Sequence, residues 1–375
     1  MKKTARMALV AGCAALALTA CGDRNDSGDS ASSESTSAAP SESSSPSESV
    51  AANPDFKACM VSDSGGFDDK GFNQTALKGQ TDAGDQFGIQ TAQVESTGDE
   101  QYADNINQLI QQSCNEITTV GFLLGDATLA AAKANPDIDF AIVDYAFFND
   151  KGKDISPPNA KGLTYATDQP SYLAGYLAAG MSESGVVGTF GGLPIPTVTI
   201  FMEGFRQGVE KYNEDNGTDV KLLGWDGKDG SFTEDFEDKT KGQSVGEQLI
   251  GQGADIIFPV AGPAGLGGLQ AAKDAGAKGI WPDTDGYEST EYGDILLTSV
   301  AKGMDVSVTE AIKESIEGTF TNELYNGTLE NGGVGLAPYH DFDSKVPSDL
   351  KDQVDQVKAD IISGKINIAS PSQPQ

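Results

Sequence analysis

This sequence predicts two α/β domains built on parallel sheets. Two observations predict them: a rhythm of short apolar runs alternating with amphipathic stretches, and a length beyond one core. The apolar runs fall at 58–61, 117–122, 140–143, 186–190, 220–223, 256–260 and 295–300. Between them, 72–87, 102–112, 172–181, 201–212 and 245–252 carry amphipathic patterns long enough for helices. Short apolar strands alternating with helices argue for sheets covered on both faces. About 310 residues of this texture exceed one comfortable core, so two domains are expected.

The chain opens with Met1-Lys2-Lys3, Arg6 and an apolar run from Met7 to Leu18, closed by Leu18-Thr19-Ala20-Cys21. Such a run is too short to cross a bilayer of about 30 Å, so residues 1–20 read as a removable export signal. The four closing residues fit the lipobox pattern, which makes Cys21 the lipidated residue and places the protein on the extracytoplasmic face of the cell membrane. A plain secretory signal with an incidental cysteine is the alternative. Residues 21–54 are rich in Ser, Glu, Ala, Pro and Asp with almost no large apolar side chain, and read as a disordered tether with a reach of about 30 Å.

The whole chain has 25 Lys plus Arg against 56 Asp plus Glu; without Lys2, Lys3 and Arg6, 22 basic residues remain. Nucleic-acid binding needs clustered basic residues, and none is present, so a nucleic-acid polymer is excluded as a partner. Cys13 leaves with the signal, and Cys59 and Cys114 stand by two strands of one domain. They form one disulfide or remain two buried thiols. His340, the one histidine, rules out a histidine-rich metal site, and no metal or cofactor is expected.

In the folded region, Gly191-Gly192 and Thr167-Asp168-Gln169-Pro170 are places where a strand hands over to a loop facing a cleft. The tail from 349 to 362 reads as a last helix ended by Gly364. The densest signal is 61–73, Val-Ser-Asp-Ser-Gly-Gly-Phe-Asp-Asp-Lys-Gly-Phe-Asn, directly after the first strand. Its glycines allow a tight turn and Asp63 sits at a strand's carboxyl end. Asp68 and Asp69 suit the start of a helix, as caps or as ligand contacts. Phe72 begins that helix on its cleft side. Asp144 ends an apolar strand, where an unpaired carboxylate is costly unless something binds it.

These blocks resemble the basic membrane protein (BMP) lipoproteins, whose characterised members include the purine nucleoside receptor of spirochaetes. The block 62–73 resembles T-D-x-G-G-x-D-D-x-S-F-N, with Gly71 in place of serine. Further blocks recur in order at 140–144, 171–179, 191–194, 201–208, 252–258 and 298–302. The resemblance covers 57–318 and implies a solute receptor of an ABC importer with a type I periplasmic-binding-protein fold, two doubly wound lobes joined by a multi-strand hinge. It implies a first lobe of 55–168 plus 287–318, a second of 169–286 plus 319–345, and a C-terminal helix and tail at 346–375.

The resemblance also implies a ligand, a purine nucleoside, and a partner, a membrane permease served by a monomeric receptor. Phe72 and Phe201 would stack on the base, Asp63 and Asp144 would accept its N–H groups, and Asp285 with Lys302 would hold the ribose. Asn73 closes the first block and joins the ligand-binding set, and Gly262 would bring backbone N–H groups of a helix start to the cleft. Residue by residue, Phe201 reads equally as helix core and Lys302 as a solvated helix-start lysine. Three departures from the family pattern stand out: Gly71, Gly286 after Asp283-Thr284-Asp285, and Pro263 in the turn 261–265.

Two rival classes carry less. A hydrolase would need a G-x-S-x-G elbow directly after a strand, or H-E-x-x-H; Gly242-Gln243-Ser244-Val245-Gly246 has the spacing but follows no apolar run, and H-E-x-x-H is absent. A surface sensor or adhesin on the same fold remains open on sequence alone. Asp226-Gly227-Lys228-Asp229-Gly230 misses the spacing of a calcium loop and reads as a solvated turn.

Overall fold

The computed structural model describes residues 52–149 and 151–370. The expected signal, Cys21 and most of the tether therefore lie outside the described residues.

Twelve strands in the described residues form two six-stranded sheets. The first contains β1 (Lys57–Ser62), β2 (Gln90–Glu95), β3 (Glu116–Val120), β4 (Asp139–Val143), β5 (Ala160–Tyr165) and β11 (Tyr325–Gly327). Their order is β11-β5-β4-β3-β1-β2, and every pairing is parallel. The second contains β6 (Val186–Gly191), β7 (Lys221–Leu223), β8 (Ile256–Val260), β9 (Lys278–Asp283), β10 (Leu296–Lys302) and β12 (Val334–Leu336). Its order is β12-β10-β9-β8-β6-β7, with β12 alone antiparallel. Both sheets are doubly wound, as expected, and each reverses its winding beside its first strand, where the carboxyl ends open a crevice.

Helices cover both faces. On the first sheet lie α1 (Phe72–Phe87), α2 (Tyr102–Gln111), α3 (Gly125–Ala134) and α9 (Met304–Glu317). On the second lie α4 (Asp168–Met181), α5 (Pro196–Asn216), α6 (Lys239–Gly251), α7 (Gly262–Ala275) and the short α8 (Gly286–Ser289), with α10 (Ser348–Ile362) packed outside α4. Burial on both faces explains why β1, β4, β6 and β8 read as largely apolar runs. Edge strand β2, Gln-Thr-Ala-Gln-Val-Glu, is mostly solvent-facing and gave no such run. In β5 the signal was broken by Lys161, whose ammonium is buried against Glu314 and lies 5.2 Å from the Phe320 ring.

The expected lobe boundaries need correction. Residues 287–302 do not belong to the first lobe, because β10 runs parallel to β9 inside the second sheet. Conversely, β11, expected in the second lobe, pairs with β5 in the first. The chain crosses between sheets three times: from β5 into α4, from β10 into α9, and from β11 to β12. Of the segment 287–318, α9 is the part that packs on the first sheet, close against α1: a Cβ on Gly79 would lie 2.5 Å from the Asp305 carbonyl. Helix α10 packs on α4 through Leu350, so it is part of the second lobe. Asp168 and Pro170 are buried in the first turn of α4 and do not face a cleft.

Cys59 and Cys114 are bonded, with Cα atoms 6.0 Å apart. The bridge ties β1 to the turn before β3 under α2, in a buried apolar cluster with Ile106 and Leu109. In the chain-entropy account, closing a loop of this length stabilises by about 4 kcal/mol.

Candidate functional site

Where the carboxyl ends of the two sheets meet lies a cleft of ≈ 560 Å³, measured to its open mouth. From the first lobe it is lined by Asp63, Asp69, Phe72, Asn73, Phe122 and Asp144. The second lobe brings Phe201, Phe236, Gly262, Asp283 and Lys302 among others. Of the eight residues expected to bind ligand, seven line it, and Asp285 does not.

The loop 63–71 builds one wall. Gly65 and Gly66 take left-handed φ values of 101° and 66°, which turn the chain from β1 toward α1. Asp69 then serves as the helix-start acceptor: Oδ1 accepts the N–H groups of Gly71 and Gln74, both at 3.0 Å, and Oδ2 that of Asn73 at 2.8 Å. Burial still pushes its carboxyl up to about 6, against the pull of those three N–H groups. Asp68 does not cap; it is exposed and pairs with Lys70. With its main chain thus held, Asn73 donates Nδ2 to Asp63 Oδ1 at 3.3 Å and to the Ser64 carbonyl at 3.2 Å. Because that carbonyl only accepts, the amide cannot be reversed, and Asn73 Oδ1 is left buried with no partner among the described residues.

A charged core sits at the centre. Lys302, at the end of β10, donates to Asp144 Oδ2 at 2.7 Å and lies 3.1 Å from Asp283 Oδ1. Its ammonium is also 4.5 Å from the Phe72 ring centre, 5.3 Å from that of Phe201 and 5.6 Å from that of Tyr165. Burial alone would lower the Lys302 pKa, but the two carboxylates outweigh it and raise it above the ordinary lysine value. Burial raises Asp144, and Lys302 opposes that rise. The solvated helix-start reading of Lys302 is therefore overturned: it is 4 % exposed and ends a strand. Asp144 and Asp283 follow or end their strands with left-handed φ of 64° and 72°. For non-glycine residues that costs about 1–2 kcal/mol each, strain typical of sites where a side chain is aimed for a purpose.

The rings bound the remaining space. Phe201 satisfies both of its readings, packing edge-on to Phe258 at 6.2 Å inside the second lobe while lining the cleft. Gly262 opens α7 with φ 53°, and the N–H of Ala264 in that first turn is already taken by the Phe236 carbonyl at 2.8 Å. The loop before α6 thereby brings Phe236 to the wall, a placement without a sequence signal because the residue lies in irregular chain. Phe122 had a signal, since it follows an apolar strand at its carboxyl end.

Asp285 is a correction. Strand β9 ends at Asp283, the next N–H turns back to the Pro282 carbonyl, and Asp285 is carried out of the cleft. There it caps α8 by accepting the Tyr287 N–H at 3.1 Å and contacts His340 Nε2 at 2.7 Å. His340 stacks on Tyr287 with centres 4.1 Å apart. The carboxylate beside Lys302 is Asp283, two residues earlier. Asp226 holds a solvated turn, accepting the N–H groups of Lys228 and Asp229.

Several polar contacts join the lobes across the cleft besides Lys302–Asp144. Glu237 Oε1 accepts the Gly65 N–H at 3.0 Å, and the Lys70 carbonyl accepts Trp281 Nε1 at 3.1 Å and Ser289 Oγ at 2.9 Å. The arrangement is that of two walls drawn together around one cleft.

Residues 56–372 match the family model described as ABC transporter substrate-binding protein PnrA-like. The chain is 30% identical over 338 residues to the ABC transporter nucleoside-binding protein BmpA of Lactococcus lactis, covering 84% of this chain and 90% of that protein. To basic membrane protein A of Borreliella burgdorferi it is 27% identical over 316 residues, covering 84% and 88%. A crystal structure of an ABC transporter solute-binding protein from Aeropyrum pernix superposes with a TM-score of 0.75 at 24% identity, over 85% of this chain and 94% of that one.

Proposed function

Because the chain belongs to the Bmp family of PnrA-like ABC transporter substrate-binding proteins, we propose that its cleft captures a nucleoside, of the purine class, which a lipid anchor at Cys21 keeps beside the permease that receives it. The family binds small-molecule ligands outside the cytoplasm for delivery to a permease and is not enzymatic. The nucleoside assignment is ours, supported by the printed name of the Lactococcus relative and by the chemistry of the cleft.

One observation carries it: Phe72 and Phe201 line the same chamber as Asp63, Asp144 and Asp283. Aromatic faces suit a flat base, and stacking contributes about 1–3 kcal/mol per base. Ionised carboxylates such as Asp144 and Asp283 suit the N–H and O–H donors of a base and a sugar diol, and a charged acceptor roughly doubles each bond. The orphaned Asn73 Oδ1 calls for one further ligand N–H. The lining's only ammonium, among the described residues, is committed to Asp144 and Asp283, so a phosphate would meet acids without a free cation. An uncharged nucleoside fits this balance and a nucleotide does not.

Calorimetric titration with adenosine, guanosine, inosine, uridine, ribose and adenosine monophosphate tests the reading. Saturable binding of a purine nucleoside is expected, with the monophosphate at least about a hundredfold weaker. Phe72→Ala should weaken the best ligand by about 5- to 150-fold, the equivalent of one lost stack. A folded protein that binds none of the nucleosides refutes the assignment.

A further inference from the structure

Among the described carboxylates of the cleft, Asp63 is the least compensated. Its Oδ1 has a single long bond, 3.3 Å from Asn73 Nδ2, and its Oδ2 makes no hydrogen bond to a described residue. Main chain packs against that oxygen: a Cβ on Gly121 would lie 2.0 Å from Oδ2, so a side chain there is impossible, and Asp63 as a whole is 8 % exposed.

The groups that face it are mostly of its own sign. They are Asp69 from the loop before α1, Asp144 from the end of β4, Lys302 from the end of β10 and the Tyr102 phenol from α2. Asp283, from the end of β9, lines the same chamber. Four carboxyl groups thus share one ammonium, and that ammonium is 2.7 Å from Asp144 and 3.1 Å from Asp283, already spent. Removing an unpaired carboxylate from water costs several kcal/mol, more than one neutral amide bond returns. Keeping the proton avoids that cost.

We propose that Asp63 stands in the cleft as a carboxylic acid at neutral pH and reads the ligand as a hydrogen-bond donor, through an O–H aimed at an sp² nitrogen or carbonyl oxygen of the bound base. The assignment rests on the nucleoside reading for its ligand and reverses the acceptor role that family resemblance implies for this residue. No bond to hydrogen breaks: the proton stays on Asp63 and is shared with the ligand's lone pair. Burial, with Asp69 and Asp144 adding to it, pushes this carboxyl up to about 8. A buried acid kept neutral so that it can donate is a known device in other proteins.

Two measurements on the purified full chain test it. The infrared difference between wild type and Asp63→Asn at about pH 7 should contain the C=O band of a protonated carboxyl; its absence overturns the proposal. Adenosine, whose base has no acidic ring N–H to lose in this range, is the probe for the second. Wild-type affinity should fall about tenfold from about pH 7 to about pH 9, as the acid ionises. Asp63→Asn, whose amide is a permanent donor, should still bind and should lose the pH dependence. Wild-type affinity that rises with pH, or a folded Asp63→Asn chain weakened more than about a hundredfold, overturns it. A chain that shows the band yet binds no adenosine at any pH refutes the nucleoside reading and not the proton on Asp63.

Discussion

Asp283 and Asp285 are two residues apart and do opposite work, which shows how finely a strand end sorts side chains. Asp283 is the last residue of β9, held in a left-handed turn beside Lys302, and Asp285 caps α8 on the far side of that turn. Asp283→Asn should therefore weaken ligand binding by tenfold or more, about 1.4 kcal/mol or more, because the diol loses a charged acceptor. Asp285→Asn should leave affinity unchanged and lower stability by about 1 kcal/mol through the weakened cap and the His340 contact. Equal losses of affinity in the two variants, measured by calorimetry, would put the sugar elsewhere. The sequence could not separate these two acids, since both are carboxylates next to a strand and only the φ of the intervening turn decides which enters the cleft. Phe72 and Asp144, by contrast, were legible, because a helix start and a strand end each have one side that faces the crevice.

At the scale of elements, the close helix pairs carry much of the architecture. Helices α4 and α5 meet backbone to backbone: a Cβ on Gly175 would lie 2.0 Å from the Phe205 carbonyl, and one on Gly208 would lie 2.0 Å from that of Tyr172. This crossing positions Phe201, one and two turns before Gly204 and Gly208 on the same helix. Gly208→Ala should cost about 1–3 kcal/mol in denaturant unfolding, since backbone cannot yield as a flexible side chain does. A cost below about 0.5 kcal/mol would mean that the helices slide apart freely. Which elements exist was largely readable from apolar runs and amphipathic spacing. Among the strands, the exceptions, β2, β5, β9, β11 and β12, are those that are solvent-facing, very short, or interrupted by Lys161 in β5 and Pro282 in β9. Their pairing comes from neighbours in space and leaves little local signature.

For the whole molecule, the buried acids set how stability responds to pH. Burial pushes Asp63 up to about 8, Asp69 to about 6 and Glu116, at the start of β3, to about 8. Glu116 is fully buried, with Oε1 taking the Thr118 hydroxyl at 2.6 Å and Oε2 unpartnered among the described residues. These groups bind protons more tightly folded than unfolded. Their contribution is complete below the unfolded pKa of about 4 and is lost as pH rises through the folded values near 8. Carboxyls held low, such as Asp154 and Asp226, are exposed and ionised by about pH 5, so they do not reverse the trend. Denaturant unfolding should show stability falling steadily, by several kcal/mol, on the order of one per pH unit or more, from about pH 5 to about pH 8.5. Glu116→Gln should flatten part of that slope without changing ligand affinity, and a wild-type curve that rises over this window would contradict the buried-acid account.

The sequence by itself determined the class of the fold, the blocks that carry the family resemblance, and seven of the cleft's lining residues among the eight expected to bind ligand. It could do so because burial on both faces writes itself into apolar runs, and loops after parallel strands are where such sheets hold ligands. Only the tertiary structure decided that β10 belongs with β9, that β11 returns to the first sheet, that Asp283 replaces Asp285, and that Phe122 and Phe236 close the chamber. Those outcomes depend on which strand lies beside which and on single backbone turns. Such contacts join residues far apart in the chain, and no local pattern encodes them.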